Sequence, residues 1–132
     1  MSKGLYYFAH PYTVKDAAGV YVPEGEEANF RICCYRAGEL LRRGYNVYSP
    51  IAHTHPIHVH TPDFLAGHEH KIWYALDDEF IALARWNGII LAPGWENSWG
   101  CRHERELFEA RGLPVLLYAD LVKEEPTYGS HD

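Results

Sequence analysis

The segment from Pro93 to Glu104 reads Pro-Gly-Trp-Glu-Asn-Ser-Trp-Gly-Cys-Arg-His-Glu and joins an apolar run to a helical pattern. Its residue types suit an anion. Ser98 is placed as a helix N-cap, the unpaired N–H groups of the first turn point outward, and Gly100 lets a ligand approach the backbone closely. Glu104 follows Gly100 by four residues and so stands one turn deeper on the same helix face. A carboxylate then lies about one sugar's width from a phosphate-sized pocket. Trp95 and Trp99 flank that pocket, where an aromatic face could stack on a ring, although core packing or a subunit contact would use them equally well.

A second group competes for attention. His53, His55, His58, His60, His68 and His70 crowd a short stretch rich in proline. Neutral imidazole is a common zinc ligand, which opens the alternative of a metal-dependent hydrolase. The spacing matches no closed zinc site, however, and no cysteine is near in sequence. The histidines are therefore read as hydrogen-bonded residues of a loop that shapes the pocket, with no metal and no cofactor expected. His10, at the end of the first apolar run, and His55, in this stretch, are placed with Trp95 among the substrate contacts.

The elements that must position these residues alternate in type. Leu5–Ala9 reads as a buried strand ended by His10-Pro11-Tyr12. From Glu24 to Arg43 the apolar residues recur at three- and four-residue steps, with Gly44 as stop signal. Tyr45–Tyr48 gives a second strand, closed by Ser49-Pro50, and Ile51–Gly67 reads as a long loop with one helical turn at most. A helix over His68–Arg85, an apolar strand over Gly88–Ala92, a helix over Cys101–Arg111 and a strand over Pro114–Tyr118 follow. This order predicts an α/β fold of three layers, a Rossmann- or flavodoxin-like parallel sheet of four or five strands with helices on both faces. Its ligand site is expected at the carboxyl ends of the strands. Residues 1–122 are read as one domain and 123–132 as a polar tail.

Three pieces of the chain resemble the nucleoside 2-deoxyribosyltransferase-like superfamily, which includes nucleoside-monophosphate N-glycosidases and related small bacterial and phage proteins. They are Tyr7-Phe8-Ala9, the run Gly44-Tyr45-Asn46-Val47-Tyr48-Ser49-Pro50, and Ser98-x-Gly100-x-x-x-Glu104 with the helix after it. The resemblance implies that Glu104 is a nucleophile attacking an anomeric carbon and that Tyr7 holds and tunes it. It also implies an aspartate on the preceding helix that works near the base, and assembly as a dimer or larger homo-oligomer. Members acting on free nucleosides tend to carry an aspartate six residues before the nucleophile, whereas those acting on 5′-monophosphates carry a serine. Ser98 thus implies a nucleotide, and the positive end of the helix dipole gives that preference an independent reason.

The chemistry is coherent on its own terms. Breaking a C–N glycosidic bond builds oxocarbenium-like charge that a carboxylate stabilises or captures, and the departing base needs a proton from a second acid. Asp77, Asp78 and Glu79 are the candidates. Asp77 is four residues from both Trp73 and Ile81, inside the apolar face, while Asp78 is turned about 100° towards solvent, so Asp77 is chosen. Pairing with Lys71 or Arg85 would be its purely structural role. Glu104, Asp77 and Tyr7 are accordingly expected to carry catalysis, with Ser98, Gly100, His10, Trp95 and His55 binding substrate. The alternative is a nucleotide-binding module without turnover.

Composition narrows the partners. The chain has 132 residues and a formal charge of −6, with its arginines scattered, which leaves no electrostatic footprint for a nucleic-acid polymer. No apolar run approaches the roughly 20 residues of a membrane span, and no secretory signal is evident, so a cytoplasmic location is expected. Cys33, Cys34 and Cys101 form no disulfide framework. Aromatic residues make up 14% of the chain, more than one small core readily absorbs, which adds to the expectation of a homo-oligomer.

Overall fold

The computed structural model describes residues 4–61 and 69–124. Strand β1 (Leu5–Ala9) is followed by helix α1 (Pro23–Arg42), β2 (Asn46–Tyr48), α2 (Pro50–His60), α3 (Glu69–Leu83), β3 (Gly88–Leu91), a 3-10 turn at Trp95–Asn97, α4 (Trp99–Ala110), β4 (Val115–Leu117) and a short α5 (Tyr118–Leu121). The four strands form one parallel sheet in the order β2-β1-β3-β4. Strands buried on both faces need apolar side chains throughout, and all four residues of β3 are buried.

Side-chain alternation along β1 and β3 divides the core in two. Phe8, Ile90 and Ala92 pack with Cys33, Ala37 and Leu40 of α1, with Ile51 of α2 and with Tyr118 of α5. Tyr7, Ala9, Ile89 and Leu91 pack on the opposite face with Ile81 of α3, Trp86, and Cys101 and Phe108 of α4. Helices thus cover both faces, giving the three layers expected of this α/β order.

The ends of the helices explain their lengths. Pro23 opens α1, where its missing N–H costs nothing. At the other end Gly44 takes φ 92°, and the N–H groups of Gly44 and Tyr45 return to the carbonyls of Leu41 and Leu40, closing the helix and feeding the chain into β2. The indole N–H of Trp86 and the guanidinium of Arg111 cap the carbonyl of Ile81 near the end of α3.

The stretch after β2 differs from the loop expected there. Residues 50–60 are helical: Ser49 accepts from the Ala52 N–H and Pro50 occupies the first turn. The pair read as a strand terminator is also a helix N-cap followed by proline at its favoured position. Pro56 lies inside this helix, which tolerates it. Residues 62–68, which hold the rest of the expected loop and His68, lie outside the described residues, as does the tail from 125 onward. Glu124, assigned to that tail, makes a bidentate ion pair with the half-buried Arg36 of α1.

Candidate active site

The strand order reverses at β1 and β3, and the crevice beyond their carboxyl ends is where doubly wound sheets take ligands. A cavity of about 650 Å³ opens there. Its wall includes His10 and Pro11 after β1, Gly94 and Ser98 after β3, Asp77 of α3, and Gly100 and Glu104 of α4.

Each of these side chains has a local reason for its place. Gly94, at φ 92°, turns the chain out of β3, and a Cβ there would meet the Pro11 ring at 3.4 Å. Ser98 then takes extended φ and ψ and caps α4, its Oγ accepting from the Cys101 N–H at 3.2 Å. The buried face of α4 is Cys101, Glu104 and Phe108, at the three- and four-residue steps of a helix packed on a sheet. A carboxylate stands where an apolar side chain would be expected.

Tyr7 is fully buried in β1, and its hydroxyl donates to Glu104 Oε2 at 2.6 Å. The rings of Tyr48, Trp86 and Phe108 surround Tyr7 at centroid distances of 6.1, 5.4 and 5.6 Å, which fixes the donor. Burial pushes the Glu104 carboxyl up to about 8, with Asp77 and Asp78 adding to the rise and the Tyr7 hydrogen bond opposing it. Burial likewise pushes Asp77 up to about 7, with Asp78 contributing. The Tyr7 hydroxyl is raised well above its ordinary range, by burial first and by Glu104 next, so it remains a donor. Asp77 Oδ1 is buried with no hydrogen-bond partner among the described residues. Two carboxyl groups on one cavity, both titrating near neutrality, are equipped to divide the work of base and acid.

The remaining expected residues are placed as follows. Ser98 and Gly100 lie on the cavity wall, and a Cβ at Gly100 would make only ordinary contact with Tyr74 at 3.7 Å. His10 is also on the wall, but both ring nitrogens are engaged. Nδ1–H donates to the Pro11 carbonyl at 2.8 Å and Nε2 accepts from Arg36 at 3.0 Å. Burial, with Arg36 adding to its effect, lowers the imidazole to about 4, so it stays neutral.

Trp95 and His55 stand outside the cavity wall. Trp95 packs on the α4 side of the core, with the Arg105 guanidinium 5.1 Å from its ring centroid, because the 3-10 turn rotates it away from the opening. His55 is buried between helices, stacked on Phe30 at 4.3 Å, because α2 turns it towards α1. Trp99 does line the cavity, half exposed and stacked on His103 at 4.9 Å, while His103 meets Asp78 at 3.4 Å.

Sequence reasoning missed Tyr12, His58, Trp73 and Tyr74, which also line the cavity. Tyr12, read only as part of the strand terminator, follows β1 at the strand end where ligands bind, and Trp73 and Tyr74 stand one turn before Asp77. Those positions were the available signals. The other described histidines diverge: His53 lies near the rings of Tyr48 and Phe80, and His60 bonds the Pro56 carbonyl. No three His, Cys, Asp or Glu residues come together as metal ligands among the described residues. Burial pushes the Cys101 thiol up to about 12, which makes it a packing residue rather than a nucleophile.

No described helix is long and apolar enough to cross a membrane. No match was found among the curated proteins. A family model described as a domain of unknown function (DUF1937) matches residues 4–120, spanning the whole sheet and every residue of the carboxylate site, and the chain belongs to that family.

Proposed function

We propose that the protein cleaves or transfers at the N-glycosidic bond of a nucleoside 5′-monophosphate, or of the nucleoside, with Glu104 as nucleophile. The observation that carries this reading is the buried Tyr7–Glu104 pair opening on the same cavity as the unpartnered carboxyl of Asp77. Likeness to the nucleoside 2-deoxyribosyltransferase-like superfamily in the Ser98, Gly100 and Glu104 pattern supports it.

In this reading Tyr7 occupies Glu104 Oε2, leaving Oε1 for attack on the anomeric carbon. The C–N bond breaks as the C–O bond to Glu104 forms, its electron pair leaves with the base, and the proton of Asp77 moves to that base. Water or a second base then gives a proton to the Asp77 carboxylate and attacks the same carbon, which breaks the C–O bond and releases Glu104 as its carboxylate. The productive form of the pair therefore holds one proton, on Asp77, with the charge on Glu104. Taken singly Asp77 would ionise first, but the positive charge that develops on the sugar in the transition state favours the form with the charge on Glu104.

The phosphate is assigned to Ser98 and the free N–H groups around Gly100. A hydrogen bond to a charged group is worth about 1.5–3 kcal/mol, so monophosphates should bind roughly ten- to a hundredfold more tightly than the matched nucleosides. Ser98→Ala is expected to erase part of that preference and leave nucleoside handling nearly unchanged, and Ser98→Asp to repel the phosphate and invert it. The test is a panel of nucleosides and 5′-monophosphates, with and without a second base, followed by chromatography for free base and calorimetry on matched pairs. Equal affinity within every pair reduces Ser98 to a helix cap, and absence of base release from all substrates removes the enzymatic reading.

A further inference from the structure

A chain of hydrogen bonds that the Glu104 chemistry does not use runs from the surface to the cavity. Glu27 Oε1, on α1, meets His55 Nε2 at 2.8 Å, and His55 Nδ1 meets the Tyr12 hydroxyl at 2.6 Å. That hydroxyl also meets His58 Nδ1 at 3.2 Å. Tyr12 and His58 stand on the cavity wall, whereas His55 is buried behind them, held by the Phe30 ring on one side and the Tyr12 ring on the other.

With both imidazoles in their neutral form, the direction of every bond follows from the first. Hydrogen bonds from His55 and Arg31 hold the Glu27 carboxyl below its ordinary range, so it is ionised and only accepts. His55 Nε2 must then carry the proton, and in a neutral imidazole Nδ1 is bare. Tyr12 donates its one hydrogen to that nitrogen, so towards its other neighbours its oxygen only accepts. His58 Nδ1–H supplies one such bond, which leaves His58 Nε2 bare as well. An exposed carboxylate thus dictates, through two imidazoles, that this part of the wall offers lone pairs and no hydrogens.

We propose that Tyr12 and His58 form the subsite for the nucleobase edge, and that they select a base bearing an amino group over its oxo counterpart. The proposal rests on the nucleotide reading of the cavity. An amino N–H satisfies a lone pair of Tyr12 or His58, while a carbonyl oxygen at the same place faces acceptors alone. Sites built to pair with one hydrogen-bonding group reject a ligand that leaves the pairing unmade. Glu27 and His55 are positioning residues, since they act on the ligand only through Tyr12.

The test is calorimetry at pH 8, where imidazole is ordinarily neutral. The probes are adenine, hypoxanthine and ribose 5-phosphate, with wild type, Tyr12→Phe and His58→Ala. Wild type should bind adenine at least about tenfold more tightly than hypoxanthine, and both substitutions should bring that ratio near one. Affinity for ribose 5-phosphate should not change, because its contacts lie around Ser98 and Gly100. His58 is partly exposed, so its variant carries the test if Tyr12→Phe misfolds. Equal binding of the two bases by wild type, or a ratio that survives both substitutions, overturns the subsite while bound ribose 5-phosphate leaves the nucleotide reading standing. Failure of all three probes to bind overturns both.

Discussion

Glu104→Gln and Glu104→Ala should each lower base release by roughly 10³-fold or more, with nucleotide binding kept, since removal of a nucleophile forfeits the covalent route altogether. The glutamine variant is the sharper of the two because its amide oxygen still accepts from Tyr7. It also has a stability signature. Glu104 is raised in the folded protein to about 8, so the folded state keeps a proton that the unfolded chain has already released. Stability is therefore lost progressively as pH rises from the ordinary carboxylate range to about 8. Glu104→Gln removes that loss, and its Tm relative to wild type should be higher at pH 8 than at pH 4. Full activity in either variant, measured by single-turnover release of base, rules out Glu104 as nucleophile.

Asp77→Asn should cost about 10²- to 10⁴-fold, the range of a lost general acid, but only with substrates whose base must be protonated to leave. A glycoside with a leaving group stable as its anion should be cleaved by this variant nearly as fast as by wild type. The pH profile separates the two carboxyls. With the one-proton form productive, wild-type kcat/KM should be bell-shaped, with limbs near the values to which Asp77 and Glu104 are raised, about 7 and about 8. Asp77→Asn removes the alkaline limb. It also removes a negative neighbour that raises Glu104, so the one remaining limb reports Glu104 alone and should lie between the two wild-type limbs. An Asp77→Asn profile that stays bell-shaped assigns the acid to another residue, with Asp78 next in line.

Much of the scaffold was legible because the relevant signals are local. β1 and β3 are apolar without interruption, as strands buried on both faces must be, and Gly44 marks a helix end through its own backbone conformation. Ser98, Gly100 and Glu104 are close in sequence and share one helix, so their spacing alone put them on one face. Helix α2 was hidden because its buried residues are Pro50, Ile51 and His55, while the apolar Ile57 and Val59 are exposed and Pro56 stands inside it. No apolar stripe remained for a periodicity to detect. The Glu27–His55–Tyr12 chain was illegible for a different reason. Its members are 28 and 43 residues apart and meet only because α1 and the segment after β1 both come against α2, contacts that no local pattern encodes.

Trp99 gives the site an optical handle. It is 55% exposed at the cavity mouth, stacked flat on His103, while Trp73 lies on the wall and Trp86 stands edge-on to Tyr7 in the interior. A ligand that covers the mouth shields Trp99 from water and moves its emission to shorter wavelength, whereas Trp86 is already shielded and contributes a constant background. Replacing Trp99 by phenylalanine keeps a ring at the mouth but silences that component, so the intrinsic fluorescence of the unlabelled protein can report occupancy in real time.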